Sequence, residues 1–188
     1  MQYANLLATT AVERGLIGPR ETPRLWERHL LNCAVVAPML PPACSVVDVG
    51  AGAGLPGIVL ALARPDLRVT LVEPMQRRAV FLEECVAALS LGRSVSVRRA
   101  RAEQLHGRLS ADAVTARALA PLDRLLTWCW PLVRRGGLLA AYRGANAADE
   151  LAAGRAALAP DARACVRTFG AGLVDPLTTV LLVRRLPT

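Results

Sequence analysis

The chain has 188 residues, of which 53% are hydrophobic and 20% charged. That is long enough to bury a core without disulfide or metal staples, and the composition excludes a disordered polymer. The formal net charge is +8, and all 23 basic residues are arginine. Such a basic balance points to a polyanionic partner, nucleic acid above all. The all-arginine usage follows as readily from a G+C-rich genome as from selection for phosphate contacts.

The five cysteines, Cys33, Cys44, Cys85, Cys129 and Cys165, are odd in number and widely spaced, with no CxxC pair. Only His29 and His106 could join them, so no metal site is expected. Reduced, buried thiols in a cytoplasmic protein are the natural reading. The opening MQYANLLATTAVERG has no basic region followed by a long apolar core, so no signal peptide is expected. Residues 30–47 are uncharged, but Pro38, Pro41 and Pro42 interrupt them, so no membrane span is expected either.

In chain order, a helix is expected around 4–14 and a loop over 15–23. Thr22-Pro23 then reads as the N-cap and first position of a helix reaching Ala37. Its apolar face comprises Leu25, Trp26, Leu30, Cys33, Ala34 and Ala37. After Pro41-Pro42 the pattern changes to strands at 45–50, 68–73, 94–99, 112–117 and 136–143. Helices at 56–64, 76–91, 121–133 and 147–159 alternate with them, and 162–169 and 177–185 close the chain as an antiparallel pair. The expectation is one domain over 1–188, with a helical extension over 1–40 and a Rossmann-like α/β core over 44–188. Alternation of this kind gives a mostly parallel sheet with helices on both faces. Ligands of such sheets sit outside the carboxyl ends of the strands, which selects Gly50, Glu73, Arg101, Arg117 and Arg143.

The sharpest local signal is Asp48-Val49-Gly50-Ala51-Gly52-Ala53-Gly54-Leu55-Pro56-Gly57. Glycines between a strand and a helix let the backbone approach a ligand closely. Gly52 to Gly57 satisfies the dinucleotide pattern GxGxxG, which is weak evidence alone. An acidic residue at the strand end followed by Gly50, Gly52 and Gly54 suits a nucleoside with a cationic amino-acid tail. Asp48 can organise the loop and attract the ammonium end, while Glu73 can accept both ribose hydroxyls. A nicotinamide dehydrogenase needs a further substrate domain, so S-adenosylmethionine is the better ligand. With the basic surface, this gives a nucleic-acid methyltransferase.

Trp26-Glu27-Arg28-His29-Leu30, DVGAGAGLPGI over 48–58, Arg101-Ala102-Glu103, and Ala116-Arg117-Ala118 followed by Pro121-Leu122 resemble the RsmG (GidB) family, in an actinobacterial-like form. The similarity runs from about Gly15 onward. The resemblance implies a class I methyltransferase fold of seven strands, the last antiparallel, and methylation of N7 of one guanine in the 530 loop of 16S rRNA, at position 527 of the rRNA. It places Gly50 and Leu55 on the donor, Ala102 and Glu103 beside its adenine, and Arg117 between donor and target. Arg28, His29 and Arg143 then lie towards the RNA. The implied partner is 16S rRNA or the small ribosomal subunit, met by a monomer. The chain departs from the family at Arg143-Gly144, where Lys-Gly is usual, and at Asn32-Cys33, where Asp-Ser is usual.

Guanine N7 carries a lone pair and no proton, so transfer needs alignment rather than a general base. Arg117 is the candidate catalytic residue in a positioning role; an ion pair with Asp48 or Glu73 is its structural alternative. Trp128 and Trp130 read as core, and Arg93, Arg98, Arg99, Arg101 and Arg108 cluster around the third strand. Two other classes stay open: a methyltransferase of small molecules or proteins, and a non-catalytic dinucleotide- or RNA-binding module.

Overall fold

The computed structural model describes residues 1–117 and 119–187. Ala118 of the Ala116-Arg117-Ala118 motif, like Thr188, lies outside the described residues. Two short helices, α1 (Gln2–Ala8) and α2 (Thr10–Glu13), open the chain. Short runs, valine-rich in β1, β2 and β3, form the strands β1 (Ser45–Val49), β2 (Arg68–Val72), β3 (Val95–Arg98), β4 (Ala111–Arg117), β5 (Val133–Arg143), β6 (Ala162–Phe169) and β7 (Thr178–Arg185). They make one sheet in the order β3-β2-β1-β4-β5-β7-β6. Only β7 runs against the others, pairing antiparallel with β5 and β6. Val49 pairs with both Val72 and Ala116, and Arg117 with Tyr142, so the carboxyl ends of β1, β2, β4 and β5 form one row.

In β1, Val46 and Val47 point to opposite faces and both are buried, as a central parallel strand requires. One face carries α1, α4 (Gly57–Ala63) and α5 (Gln76–Ala88), with Leu7, Ile58, Phe81 and Leu82 in the core. On the other face, α6 (Leu122–Cys129) and α7 (Ala147–Gly154) supply Leu122, Leu125 and Leu151. Trp128 and Trp130 pack on this second core as the sequence suggests, and the Arg185 guanidinium stacks 5.3 Å from the Trp130 ring.

The helix expected from Thr22 to Ala37 is broken. Pro23 sits inside a 3₁₀ helix over Pro19–Arg24, the next turn is a π-helix over Leu25–Leu30, and α3 (Leu31–Ala34) follows. The wide π turn brings both Leu25 and Leu30 inward and swings Trp26 out to 47% exposure, so Trp26 does not belong to the apolar face. β5 starts three residues early, because α6 stops at Cys129 and a 3₁₀ turn leads straight into the strand. Between the Ala111–Val133 and Ala113–Leu138 pairs β5 bulges around Gly136-Gly137. Four cysteines are buried, but Cys165 is exposed, contrary to expectation, because the outward face of edge strand β6 has no helix over it. No helix among the described residues is long and apolar enough to cross a membrane.

Candidate active site

The glycine loop leaves β1 and is tied back to β2, where Gly50 and Ala51 both donate to the Val72 carbonyl, at 2.9 and 3.1 Å. Gly50, Gly52 and Gly54 have φ of +69, +58 and +94°, a conformation other L-residues rarely adopt. Gly57 is needed for space instead: a Cβ there would stand 2.3 Å from Leu71 Cδ2 and 2.7 Å from Asp48 Oδ2. Leu55 follows, half-buried, and α4 begins.

Asp48 is fully buried and faces inward beneath the loop. The Gly57 amide donates to its Oδ2 at 2.9 Å and the Thr115 hydroxyl to its Oδ1 at 2.8 Å, so it fastens the loop to β4. Burial pushes its carboxyl up to about 7, against the pull of those two bonds. Glu73, just beyond β2, is 1% exposed. Its Oε2 accepts from the Gly52 amide and its Oε1 from the Met75 amide, each at 3.0 Å. Arg78 approaches Oε2 at 3.8 Å. Two acidic residues therefore grip the loop from below and from the side.

Beyond β3, Ala102 is buried and Glu103 exposed in a 3₁₀ turn over Ala102–Leu105. Arg93, Arg98, Arg99, Arg101 and Arg108 are all exposed along this sheet edge.

Arg28, His29, Arg117 and Arg143, scattered in sequence, line one cleft of about 690 Å³ at the carboxyl ends of β4 and β5. Arg117 makes no ion pair with Asp48 or Glu73. It reaches across to the π-helix, donating from Nη2 to His29 Nδ1 (2.5 Å) and to the Arg28 carbonyl (3.2 Å), and from Nη1 to Cys33 Sγ (3.5 Å). His29 Nε2 lies 2.9 Å from Glu21 Oε2, and Arg28 lies 3.5 Å from Glu21 Oε1. Burial, then the Arg117 charge, lowers the His29 pKa, with Glu21 opposing. Arg143 is held, donating to the Ala120 carbonyl at 2.7 Å and approaching Glu150 at 3.1 Å. Glu21, Glu27 and Asp175 line the same cleft.

The cleft joins the loop through the sheet: Arg117 lies one residue past the partner of Val49, as Gly50 does past Val49 itself. Leu119, two residues past Arg117, packs against Gly50, with its Cδ1 2.5 Å from where a Gly50 Cβ would stand. Sequence reasoning misses three contributors. Tyr3 donates from its buried hydroxyl to the Ala53 carbonyl at 2.7 Å, clamping α1 on the loop. Its signal is weak: a tyrosine in an apolar helical stripe needs a partner for its hydroxyl. Thr115 could have been found as the lone hydroxyl inside a buried strand. Glu21 carries no local signal, since its partner is reached only through the 3₁₀ and π turns.

A family model for rRNA small subunit methyltransferase G matches residues 1–169. A Ribosomal RNA small subunit methyltransferase G from Thermobifida fusca is 56% identical over 185 residues, covering 97% of this chain and 77% of the relative. A SAM-dependent O-methyltransferase from Thermotoga maritima superposes with a TM-score of 0.63 at 16% identity, over 84% of this chain and 65% of that one. Coclaurine N-methyltransferase bound to N-methylheliamine and SAH gives 0.53 at 21% identity, over 61% and 35%. These two likenesses are of fold, and the strand order with β7 reversed is that of the class I methyltransferases. By sequence, the chain belongs to the rRNA small subunit methyltransferase G family.

Proposed function

We propose that this protein methylates N7 of a guanine in the 530 loop of 16S rRNA, at position 527, with S-adenosylmethionine as donor. Family membership supports the small-subunit rRNA substrate, and the resemblance described above supplies the guanine. The observation that carries the reading is the juxtaposition of a glycine loop with a cleft lined by Arg28, His29, Arg117 and Arg143 across the β1–β4 pair.

The loop residues fit the donor. Glycines at 50 and 52 give the loop its positive-φ turn, and Gly52 adds no side chain of its own to the space around it. Each Glu73 oxygen accepts one backbone amide and retains a second acceptor site, the pair a ribose diol needs. The Gly52 and Met75 amides hold the carboxylate in place while the diol uses the remaining acceptor sites. Ala102 offers a small apolar surface for adenine, with Glu103 at its rim, and Leu55 and Gly54 complete the loop. Asp48 acts through the loop, since its oxygens face Gly57 and Thr115. Bound there, S-adenosylmethionine supplies an electrophilic methyl group on a sulfonium.

The guanine N7 lone pair needs no deprotonation, so the cleft has to align the base and tolerate the charge the product acquires. Arg117 orients the target, as a donor to guanine O6 or to a phosphate. Glu27 and Asp175, on the walls of the cleft, offset the positive charge of N7-methylguanine. Arg28 and Arg143 hold the flanking RNA, Arg143 after exchanging its Glu150 contact for a phosphate.

The test uses small subunits from a strain lacking this gene, incubated with the protein and methyl-labelled S-adenosylmethionine. Label should enter 16S rRNA at a single guanine of the 530 loop, in a form that cleaves as N7-methylguanine. No transfer to 16S rRNA would reject the reading.

A further inference from the structure

Glu21, His29 and Arg117 form a linear polar chain from the 3₁₀ turn, through the π-helix, to the end of β4. A guanidinium has donors only, so the His29 Nδ1 facing Arg117 Nη2 at 2.5 Å must be an unprotonated acceptor. The neutral ring then carries its proton on Nε2, which donates to Glu21 Oε2 at 2.9 Å. The carboxylate thereby selects one imidazole tautomer, and that tautomer is the only form of His29 able to hold Arg117. Arg117 has five N–H groups, of which the His29, Arg28 and Cys33 contacts use three. Its Nε–H and one Nη1–H have no partner among the described residues, on a side chain that lines the cleft.

We infer that Glu21 is a positioning residue for the methyl transfer: it fixes the His29 tautomer that orients Arg117 towards the target base. The inference rests on the methyltransferase reading of the cleft. A protonated His29 would set an Nδ1–H against the guanidinium and release Arg117. Three charged groups face the ring. Glu21 favours protonation of His29, while Arg117 and Arg28 oppose it. Removing the Glu21 charge therefore has two effects. The Nε2–H tautomer loses one of its two selecting contacts, leaving only Arg117, and the pH at which His29 protonates falls.

Imidazole nitrogen NMR of the free protein, with kcat and KM followed against pH, tests this in Glu21→Ala, Glu21→Gln, His29→Ala and His29→Gln. Wild-type His29 should show the Nε2–H tautomer and Glu21→Ala a mixture of both. In Glu21→Ala, kcat should drop roughly ten- to a hundredfold, the scale of a misplaced orienting group, while KM for S-adenosylmethionine holds. The acid limb of the kcat profile should move to lower pH in both Glu21 variants. His29→Gln keeps an acceptor and a donor but cannot titrate, so it should retain more activity than His29→Ala and lose the limb. An unchanged tautomer in Glu21→Ala, or an acid limb that stays in place, overturns the inference. A wild-type protein with the Nε2–H tautomer but no transfer to the small subunit overturns the proposed function and the role in transfer together.

Discussion

Asp48 is sealed beneath the loop it organises, and its carboxyl answers to two opposing forces. Burial disfavours the charge, whereas the Thr115 hydroxyl and Gly57 amide stabilise it, and the balance lies near 7. A carboxyl whose pKa is raised on folding contributes stability that is complete below its unfolded pKa and lost as pH rises through the folded one. Asp48→Asn cannot titrate. The unfolding free energy of the wild type, relative to this variant, should therefore fall between about pH 4 and pH 7. Urea melts across that range check this, and a difference that does not change with pH contradicts it. Gly57 sets the other limit at this point. The Cβ of Gly57→Ala would press on Leu71 and on Asp48 itself, and should cost about 1–3 kcal/mol. Thermal melts should show it, together with weaker binding of S-adenosylmethionine in calorimetry.

Among the elements, α1 and the glycine loop depend on each other through the Tyr3 hydroxyl. Tyr3→Phe keeps the packing of the ring and leaves the buried Ala53 carbonyl without its donor. We expect a loss of about 1 kcal/mol in stability and several-fold weaker S-adenosylmethionine binding, read by denaturant melts and calorimetry. Variants that lose stability with unchanged binding would separate α1 from the loop. The strand–helix alternation from Ser45 onward was legible because buried parallel strands must read as short apolar runs between breaks. The tight turn after β1 was legible because positive φ at Gly50, Gly52 and Gly54 and the close approach at Gly57 demand glycine. The segment over 19–34 was not, since a period of 3.6 does not describe a π turn: that period puts Trp26 inward, whereas the π turn leaves it exposed. Nor was the Arg117 partner legible. Opposite charge pointed to Asp48 or Glu73, but backbone and hydroxyl donors already occupy both carboxylates.

Across the whole molecule, the +8 charge comes from arginines distributed along the chain. Arg93, Arg98 and Arg99 stand exposed on the β3 side, and among the described residues none forms an ion pair. Each arginine that neutralises a phosphate adds roughly 0.7–0.9 to the slope of log affinity against log salt. Replacing all three with alanine should weaken small-subunit binding and flatten that slope, with S-adenosylmethionine affinity unaltered. An unchanged slope would mark them as solvated bystanders. The sheet order also carries a consequence for how the protein comes into being. β6 precedes β7 in the chain yet pairs with β7 alone, at the far side from β5. During synthesis β6 leaves the ribosome with no strand to join, and its sheet edge stays open until β7 threads between it and β5. A chain stopped before Leu177 would thus lose two strands rather than one. It would expose the β5 edge, and nascent chains of that length should be the ones that proteases and chaperones capture.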